Sequence, residues 1–548
     1  MAHTHDVLNQ PPPLEDYNLY LTDPVLDRAI ASEGGKESRD TLVRFGERVG
    51  SAEVFEWGFL ANANDPVLKT HDRYGNRIDE VEFHPSWHSL MELAVSNGLH
   101  SIPWEENAGD SGHLTRTALL YMSSQVEAGH FCPISMTTAV VPALRATASL
   151  ANEWIPRIVR RSYDPSFRPA PEKSGTLMGM GMTEKQGGSD VRSNTTTAVP
   201  RNLGGQGEEY SLTGHKWFTS APMCDAFLVL AQAPGGLSCF LLPRWTPEGH
   251  VNGFQIQRLK DKLGNRSNAS SEIEFVDAYA LLLGEEGRGV QTIIEMVNGT
   301  RLDCVMGSVA LMRQAVAQAG WHVAHRNAFG SLLIDKPLMQ NVLADLEVET
   351  ETATLMMIRL AGAFDRAELD SDEAAFRRIA LPIAKYWVTK QTTAVVREAM
   401  ECLGGNGYVE ESILPRLFRE SPLNAIWEGS GNVIALDFLR AANREPAGLE
   451  AFFADLEANT AGNRVLVDAV TRARESVSGV RNPEAEARRI VEEIALAWAG
   501  TLCARHEDDE LLDAYVASRL SERHSAQFGT LNPTLPLETL ARRTVPQL

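Results

Sequence analysis

Apolar residues recur at two different periods along this chain, and the change of period divides it. In the stretches 40–49 (DTLVRFGERV) and 87–94 (WHSLMELA) they return every three or four positions, the spacing of one helix face. Residues 24–160 are mainly of this kind. From about 176 to 283 the period shortens. The runs FLVLAQA (227–233) and LSCFLLP (237–243) flank Pro234-Gly235-Gly236, predicting two strands and a tight turn, and SEIEF (271–275) alternates as a half-buried strand does. After GEEGRG at 284–289 long helical patterns resume, over 290–320, 337–365, 374–403 and 433–442. Before all of this, NQPPPLEDYNLYLTD (9–23) holds three successive prolines and predicts an extended arm.

The pattern predicts a mainly α protein with a central small β domain. Its expected divisions are an N-terminal arm and helical domain (1–175), a β domain (176–283), a helical bundle (284–440) and a C-terminal helical segment (441–548) opened by Glu445-Pro446-Ala447-Gly448. A length of 548 residues exceeds what one core serves, which agrees with several packed parts. No apolar run is long enough to span a membrane, and the first residues lack a basic stretch followed by an apolar one, so a cytoplasmic protein is expected. The six cysteines lie far apart without a CxxC pair or zinc spacing, which predicts reduced thiols and no metal. A formal net charge of −21 excludes a chain that coats nucleic acid over its whole surface.

The glycine-rich stretch MGMGMTEKQGGSD (178–190) is the first candidate for chemistry. It lacks the Gly-Lys-Ser/Thr of a nucleoside-triphosphate loop and the glycine spacing of a dinucleotide fold, so alone it reads as a surface loop. Four further stretches change that reading: GHKWFTS (214–220), RNAFG (326–330), LGGNGY (403–408) and IWEGS (426–430). Together, in this order and over about 90–440, the five resemble the flavin loop, strand and active-site motifs of the acyl-CoA dehydrogenase family. The arm NQPPPL, FHPSWH (83–88), KDKLGNRSN (260–268) and IWEGSGN (426–432) resemble the AidB-type subfamily, flavoproteins of the bacterial response to DNA alkylation, along nearly the whole chain.

That resemblance implies an FAD-dependent oxidoreductase acting on a short or branched acyl-CoA thioester. It places Thr183 near the flavin ring and Ser189 near the pyrophosphate, with Met182 and Gly188 in the same loop, and Trp217, Phe218, Thr219 and Ser220 along the flavin. Arg326 and Phe329 are expected to reach the FAD of a neighbouring subunit in a homotetramer, where Gly404 and Gly405 let backbone approach; Gln340, Trp427, Ser430, Gly431 and Asn432 are further cofactor candidates. Glu428 is the expected base for the α-proton, its pKa raised by burial. Arg301 is expected at the active-site mouth, and Thr300 stands where some family members place the base. Pro337 replaces a common flavin-contacting glutamine. An electron-accepting flavoprotein is the implied partner.

The subfamily also implies a second function, a DNA-binding protective flavoprotein with little turnover. Residues 440–548 hold 13 arginines and no lysine against 17 acidic residues, which is no general polyanion trap. Arg519, Arg523, Arg542 and Arg543 are the candidates for phosphate contacts with duplex DNA.

Overall fold

In the computed structural model, which describes residues 4–478, 482–521 and 526–548, the alternating stretch folds as one seven-stranded sheet. Its strands run in the order Met178–Gly181, Ala226–Ala233, Thr197–Pro200, Glu209–Ser220, Ser270–Leu283 and Gly236–Pro243, with Phe254–Leu259 joined to Ser270–Leu283. Gly236–Pro243 also pairs back onto Ala226–Ala233, so the sheet closes on itself as a small barrel does. The turn Pro234-Gly235 sits where the sequence predicts it, with Ala233 opposite Gly236. Phe227, Phe240, Phe254 and Phe275 fill the interior, and Phe227 stacks on Phe254 with 4.8 Å between centroids. Burial of each such ring is worth about 2 kcal/mol or more. The helix Phe131–Leu144, apolar nearly all round, is tied to the sheet by the Met178 amide, which donates to Thr137 Oγ1 at 2.9 Å.

These elements belong to one of two units, Glu53–Gly112 with Val126–Asp303; the other comprises Met1–Ala52, His113–Gln125 and Cys304–Leu548. One feature of the first departs from the sequence reading. Within the stretch read as mainly helical, Val67–His71 and Arg77–Glu82 form an antiparallel hairpin. Its turn is built by Asp72, whose carboxylate accepts from the Tyr74 and Asn76 amides at 2.8 and 2.9 Å, and Gly75 takes φ +88°. Both strands are short, and although Val67–His71 alternates between exposed and half-buried, its residues VLKTH do not alternate between apolar and polar, so the sequence does not mark it.

In the other unit the arm has neither helix nor strand before Pro24; it is open around its prolines, turns over residues 19–22, and is fastened by backbone hydrogen bonds from Tyr17 to Gly50 and from Leu19 to Gly46. Two long helices, Pro337–Arg366 and Ser371–Cys402, carry the bundle. Pro337–Arg366 is buried from Leu343 to Phe364, including Asp345, Glu347, Glu349 and Glu351. Buried carboxylates need partners. Arg313 stands 3.4 Å from Glu347, Arg519 2.6 Å from Asp345 and 3.3 Å from Glu349, and Arg543 3.3 Å from Glu351.

Burial, followed by the neighbouring Glu347, pushes the Glu351 carboxyl up to about 8 against the pull of Arg543. A carboxyl raised on folding stabilises fully below its unfolded value of 4.5 and loses that contribution as pH rises through about 8. Unfolding free energy measured in urea is therefore expected to decline between those two pH values, and Glu351→Gln to flatten the decline. An unchanged slope in the variant would assign the pH dependence elsewhere.

Among the described residues no helix is long and apolar enough to cross a membrane, no cluster of metal-ligating side chains occurs, and no disulfide forms.

Candidate active site

The glycine-rich loop is held by a carboxylate. Glu184 is wholly buried and accepts from the Thr195 amide at 2.7 Å, the Thr196 amide at 3.2 Å, Gln186 Nε2 at 2.8 Å and Lys216 Nζ at 2.8 Å. Lys216 also donates to the Leu230 carbonyl at 2.7 Å. Burial alone would push the Glu184 carboxyl up, but Lys216 and the amides outweigh it and hold it well below the usual carboxylate range. Burial pulls the Lys216 ammonium down to about 8, opposed by Glu184. The pair stays ionised at neutral pH and fixes the course of the chain on either side of Met182, Thr183, Gly188 and Ser189.

From Lys216 the strand Glu209–Ser220 passes through a bulge. Lys216 faces Ile273 and Thr219 faces Ser271, so Trp217 and Phe218 contain one residue more than the partner strand. The bulge is tied to the loop by the Trp217 amide, which donates to the Thr183 carbonyl at 2.8 Å. It leaves Phe218 53% exposed, although Phe218 lies between two half-buried or buried neighbours. Lys260 Nζ lies 3.4 Å from the Trp217 ring centroid and 4.6 Å from that of Phe218, and it is paired with Glu272 at 2.6 Å. Ser220 Oγ is 3.3 Å from Ser270 Oγ. Arg301, in the same unit, is buried.

The second group of candidates lies in the other unit. Glu428 takes φ +57° and Gly429 φ +104°, a left-handed pair that a glutamate rarely adopts. A buried lysine holds this turn. Lys385 Nζ donates to the carbonyls of Trp427 at 2.9 Å and Gly429 at 2.5 Å, which flank Glu428. Trp427 Nε1 donates to Asn424 Oδ1 at 2.8 Å, and Asn424 donates in turn to Ser308 Oγ at 3.2 Å. Ser430, Gly431 and Asn432 then open the helix Gly431–Arg444. Lys385 is a positioning residue that the sequence reading missed; a lone lysine in the apolar run LPIAKYWV was its only trace.

Arg326 and Phe329 sit at a two-residue hairpin after the helix Gly289–His325, and the arm grips it. Asn9 Nδ2 donates to the Asn327 carbonyl at 2.8 Å, the Asn327 amide donates to Asn9 Oδ1 at 2.7 Å, and the Arg326 guanidinium donates to the Asn9 carbonyl. Gly404 and Gly405 are exposed in the turn after Ser371–Cys402, and Gln340 lies half-buried in the first turn of Pro337–Arg366.

The candidates for nucleic acid are placed differently from expectation. Arg519 and Arg543 point into the fold, the first to Asp345 and Glu349, the second to Glu351, Asp508 and Glu510. Charge counting along a sequence does not show such pairing, and neither guanidinium presents itself to a phosphate. Arg542 is half-exposed and paired with Asp335 and Glu538. Arg523 lies outside the described residues.

Each unit thus carries candidates of its own, the bulged strand at Trp217-Phe218 in one and the pinned turn at Glu428 in the other. Comparison with known proteins gives the family. Residues 9–165 match the adaptive response protein AidB N-terminal domain, residues 179–278 the acyl-CoA dehydrogenase middle domain and residues 287–442 the acyl-CoA dehydrogenase C-terminal domain. The chain belongs to the acyl-CoA dehydrogenase family. Within it, the chain is 44% identical over 529 residues to AidB of Escherichia coli (strain K12), covering 96% of each. It is 32% identical over 537 residues to acyl-CoA dehydrogenase family member 11 of Caenorhabditis elegans, covering 90% of this chain and 85% of that one. The structure of Caenorhabditis elegans ACDH-11 in complex with C11-CoA matches with a TM-score of 0.84 at 28% identity, over 99% of this chain and 93% of that one.

The protein is thus an acyl-CoA dehydrogenase, an oxidoreductase whose cofactor is FAD. The residues present suit that cofactor. Thr219 Oγ1 is buried with no hydrogen-bond partner among the described residues, next to the ring-bearing bulge. A Cβ added to Gly188 would come within 2.5 Å of Thr183 Oγ1, so only glycine leaves that hydroxyl accessible to a ligand.

Proposed function

We propose that the protein dehydrogenates an acyl-CoA thioester between its α and β carbons with Glu428 as the base. The pinned left-handed turn at Trp427–Gly429 carries this reading, because it holds one carboxylate at a strained position that packing alone would not select. The α-proton of a thioester is weakly acidic, so its removal needs a carboxylate fixed in place. Glu428 takes that proton, and the electron pair it leaves becomes the new α,β π bond as the β C–H bond breaks with loss of hydride. FAD, when bound, supplies the hydride acceptor. The exposed Phe218 ring would help to hold the cofactor's flat ring system, and Thr219 Oγ1, which lacks a partner among the described residues, would supply a hydrogen bond to it. A short or branched acyl chain is the proposed substrate class, and an electron-accepting flavoprotein the proposed oxidant of the reduced enzyme. Anaerobic addition of a panel of acyl-CoAs to the yellow protein tests this: at least one is expected to bleach the flavin absorbance, and bleaching by none would overturn it.

We also propose a homotetramer. Phe329, 97% exposed, and Tyr408, 81% exposed, stand on the hairpin and the glycine turn, and large apolar groups left so bare favour an association surface. Sedimentation at micromolar protein is the check; a monomer would contradict it.

Contact of the C-terminal segment with a DNA backbone falls, in this reading, to Arg440, Arg444, Arg464 and Arg472, which are exposed. Arg519→Ala is then expected to lower the unfolding free energy by about 3 kcal/mol by stranding Asp345 and Glu349. At low salt the folded variant should bind duplex DNA as the wild type does. Weakened DNA binding with unchanged stability would return Arg519 to the phosphate contacts.

A further inference from the structure

Two cations converge just beyond the Glu428 turn. A Cβ placed on Gly431 would lie 2.7 Å from Lys390 Cε, 3.3 Å from Lys390 Nζ and 3.4 Å from Arg488 Nη2, so the two cationic heads are no more than about 7 Å apart. Lys390 extends from Ser371–Cys402, and Arg488 from Pro483–Arg505 in the C-terminal segment. Arg488 Nε donates to Asn432 Oδ1 at 2.7 Å, which aims the guanidinium across the start of the helix Gly431–Arg444.

Neither cation has a carboxylate within ion-pair distance among the described residues. The contrast with the next residue is direct: Arg489 is paired with both Glu486 and Glu493. The chain holds 72 acidic residues against 51 basic ones, so a carboxylate partner would be easy to supply. Other groups facing the pair do not supply one. The Tyr386 ring lies 5.6 Å from Lys390 Nζ, Lys385 adds a third positive charge to the neighbouring turn, and Glu492, one helical turn beyond Arg488, acts on the same Tyr386 as Arg488 does without reaching ion-pair distance of either cation. Burial, then Arg488, holds the Lys390 ammonium below its ordinary value, as expected where like charges face each other. Any side chain at position 431 would displace Lys390. Both residues are exposed, so an anion arriving from solvent can reach the two cationic heads together.

We propose that Lys390 and Arg488 clamp a phosphate group of a bound nucleotide beside the Glu428 turn. This rests on the proposed function in one respect only, that the turn faces a nucleotide-bearing ligand. A phosphate recognised here has two sources, the pyrophosphate of FAD or the phosphates of CoA, and both present anionic oxygens that an ammonium and a guanidinium bind by charge-assisted hydrogen bonds. Arg488 acts through its fork, Lys390 as a point charge.

The test reads binding rather than turnover, so it stands or falls independently of Glu428. Lys390→Ala with Arg488→Ala is made in the full chain, and affinity is measured for FAD and riboflavin on flavin-stripped protein, and for CoA and 3′-dephospho-CoA on FAD-loaded protein. The double variant is expected to weaken FAD or CoA by roughly 10- to 100-fold, the loss of one to two charge-assisted contacts. Loss for FAD with riboflavin unchanged identifies the pyrophosphate. Loss for CoA with the dephospho form unchanged identifies the 3′-phosphate, and equal loss for both CoA forms identifies the CoA pyrophosphate. Arg488→Lys should recover part of the affinity, which a merely structural role would not produce. Should the double variant fail to fold, Arg488→Gln, at an exposed position and of similar length, is read in the same way. Unchanged affinity for both FAD and CoA in a folded variant overturns the proposal.

Discussion

Glu428→Gln is expected to keep the yellow colour and the fold while losing reduction of the flavin by acyl-CoA. The amide has nearly the volume and polarity of the carboxylate and meets the same backbone conformation, so the turn held by Lys385 should survive. It cannot accept a proton at neutral pH. Removing a positioned general base costs roughly 10²- to 10⁴-fold in rate, and the loss should fall on the rate of anaerobic bleaching, not on acyl-CoA affinity. Stopped-flow absorbance separates the two. Reduction at the wild-type rate would assign the proton to another residue.

The second large effect concerns the loop rather than the chemistry. In Lys216→Met the Glu184 carboxylate is left buried with its amide partners but no counter-ion, and breaking a buried pair in this way costs about 3–5 kcal/mol. The unfolding midpoint should drop accordingly. FAD affinity should drop with it, because the carboxylate that orders residues 182–196 no longer stays in place. Lys216→Met combined with Glu184→Gln removes the stranded charge and should recover a large part of the stability. If the single variant unfolds at the wild-type urea concentration, the pair does not hold the loop.

What could be read from the sequence follows from which interactions leave a periodic trace. The helices Pro337–Arg366 and Ser371–Cys402 and the hairpin around Pro234-Gly235 appear in the pattern of apolar residues, because packing one face of an element repeats along it. The hairpin Val67–His71 with Arg77–Glu82 does not, because a single aspartate turn and two half-exposed strands repeat nothing. Buried charge is the larger omission. Lys216 and Lys385 look like ordinary lysines between apolar neighbours, and their roles arise from carbonyls and carboxylates brought to them by folding. Arg519 and Arg543 show the same limit from the other side: composition counts them as available positive charge, while the fold pairs them internally. The motif stretches, by contrast, are local in sequence, so the loop at 178–190, the strand motif at 214–220 and Glu428 could be singled out before any contact was known, whereas the bulge and the left-handed turn could not.

The pairing of Arg519 and Arg543 with the central helix Pro337–Arg366 bears on how the chain can be cut. Helix Leu537–Arg543 packs on that same helix, and a Cβ on Gly320 would strike Thr544 near the end of the chain. A protein stopped near residue 440 would leave Asp345, Glu349 and Glu351 without Arg519 and Arg543 in an otherwise closed interior. The C-terminal segment is therefore not a separable module to be added to a dehydrogenase or removed from it. It supplies counter-ions to the bundle in the way a bound ligand would, and transplanting either part requires Met1–Ala52, His113–Gln125 and Cys304–Leu548 together.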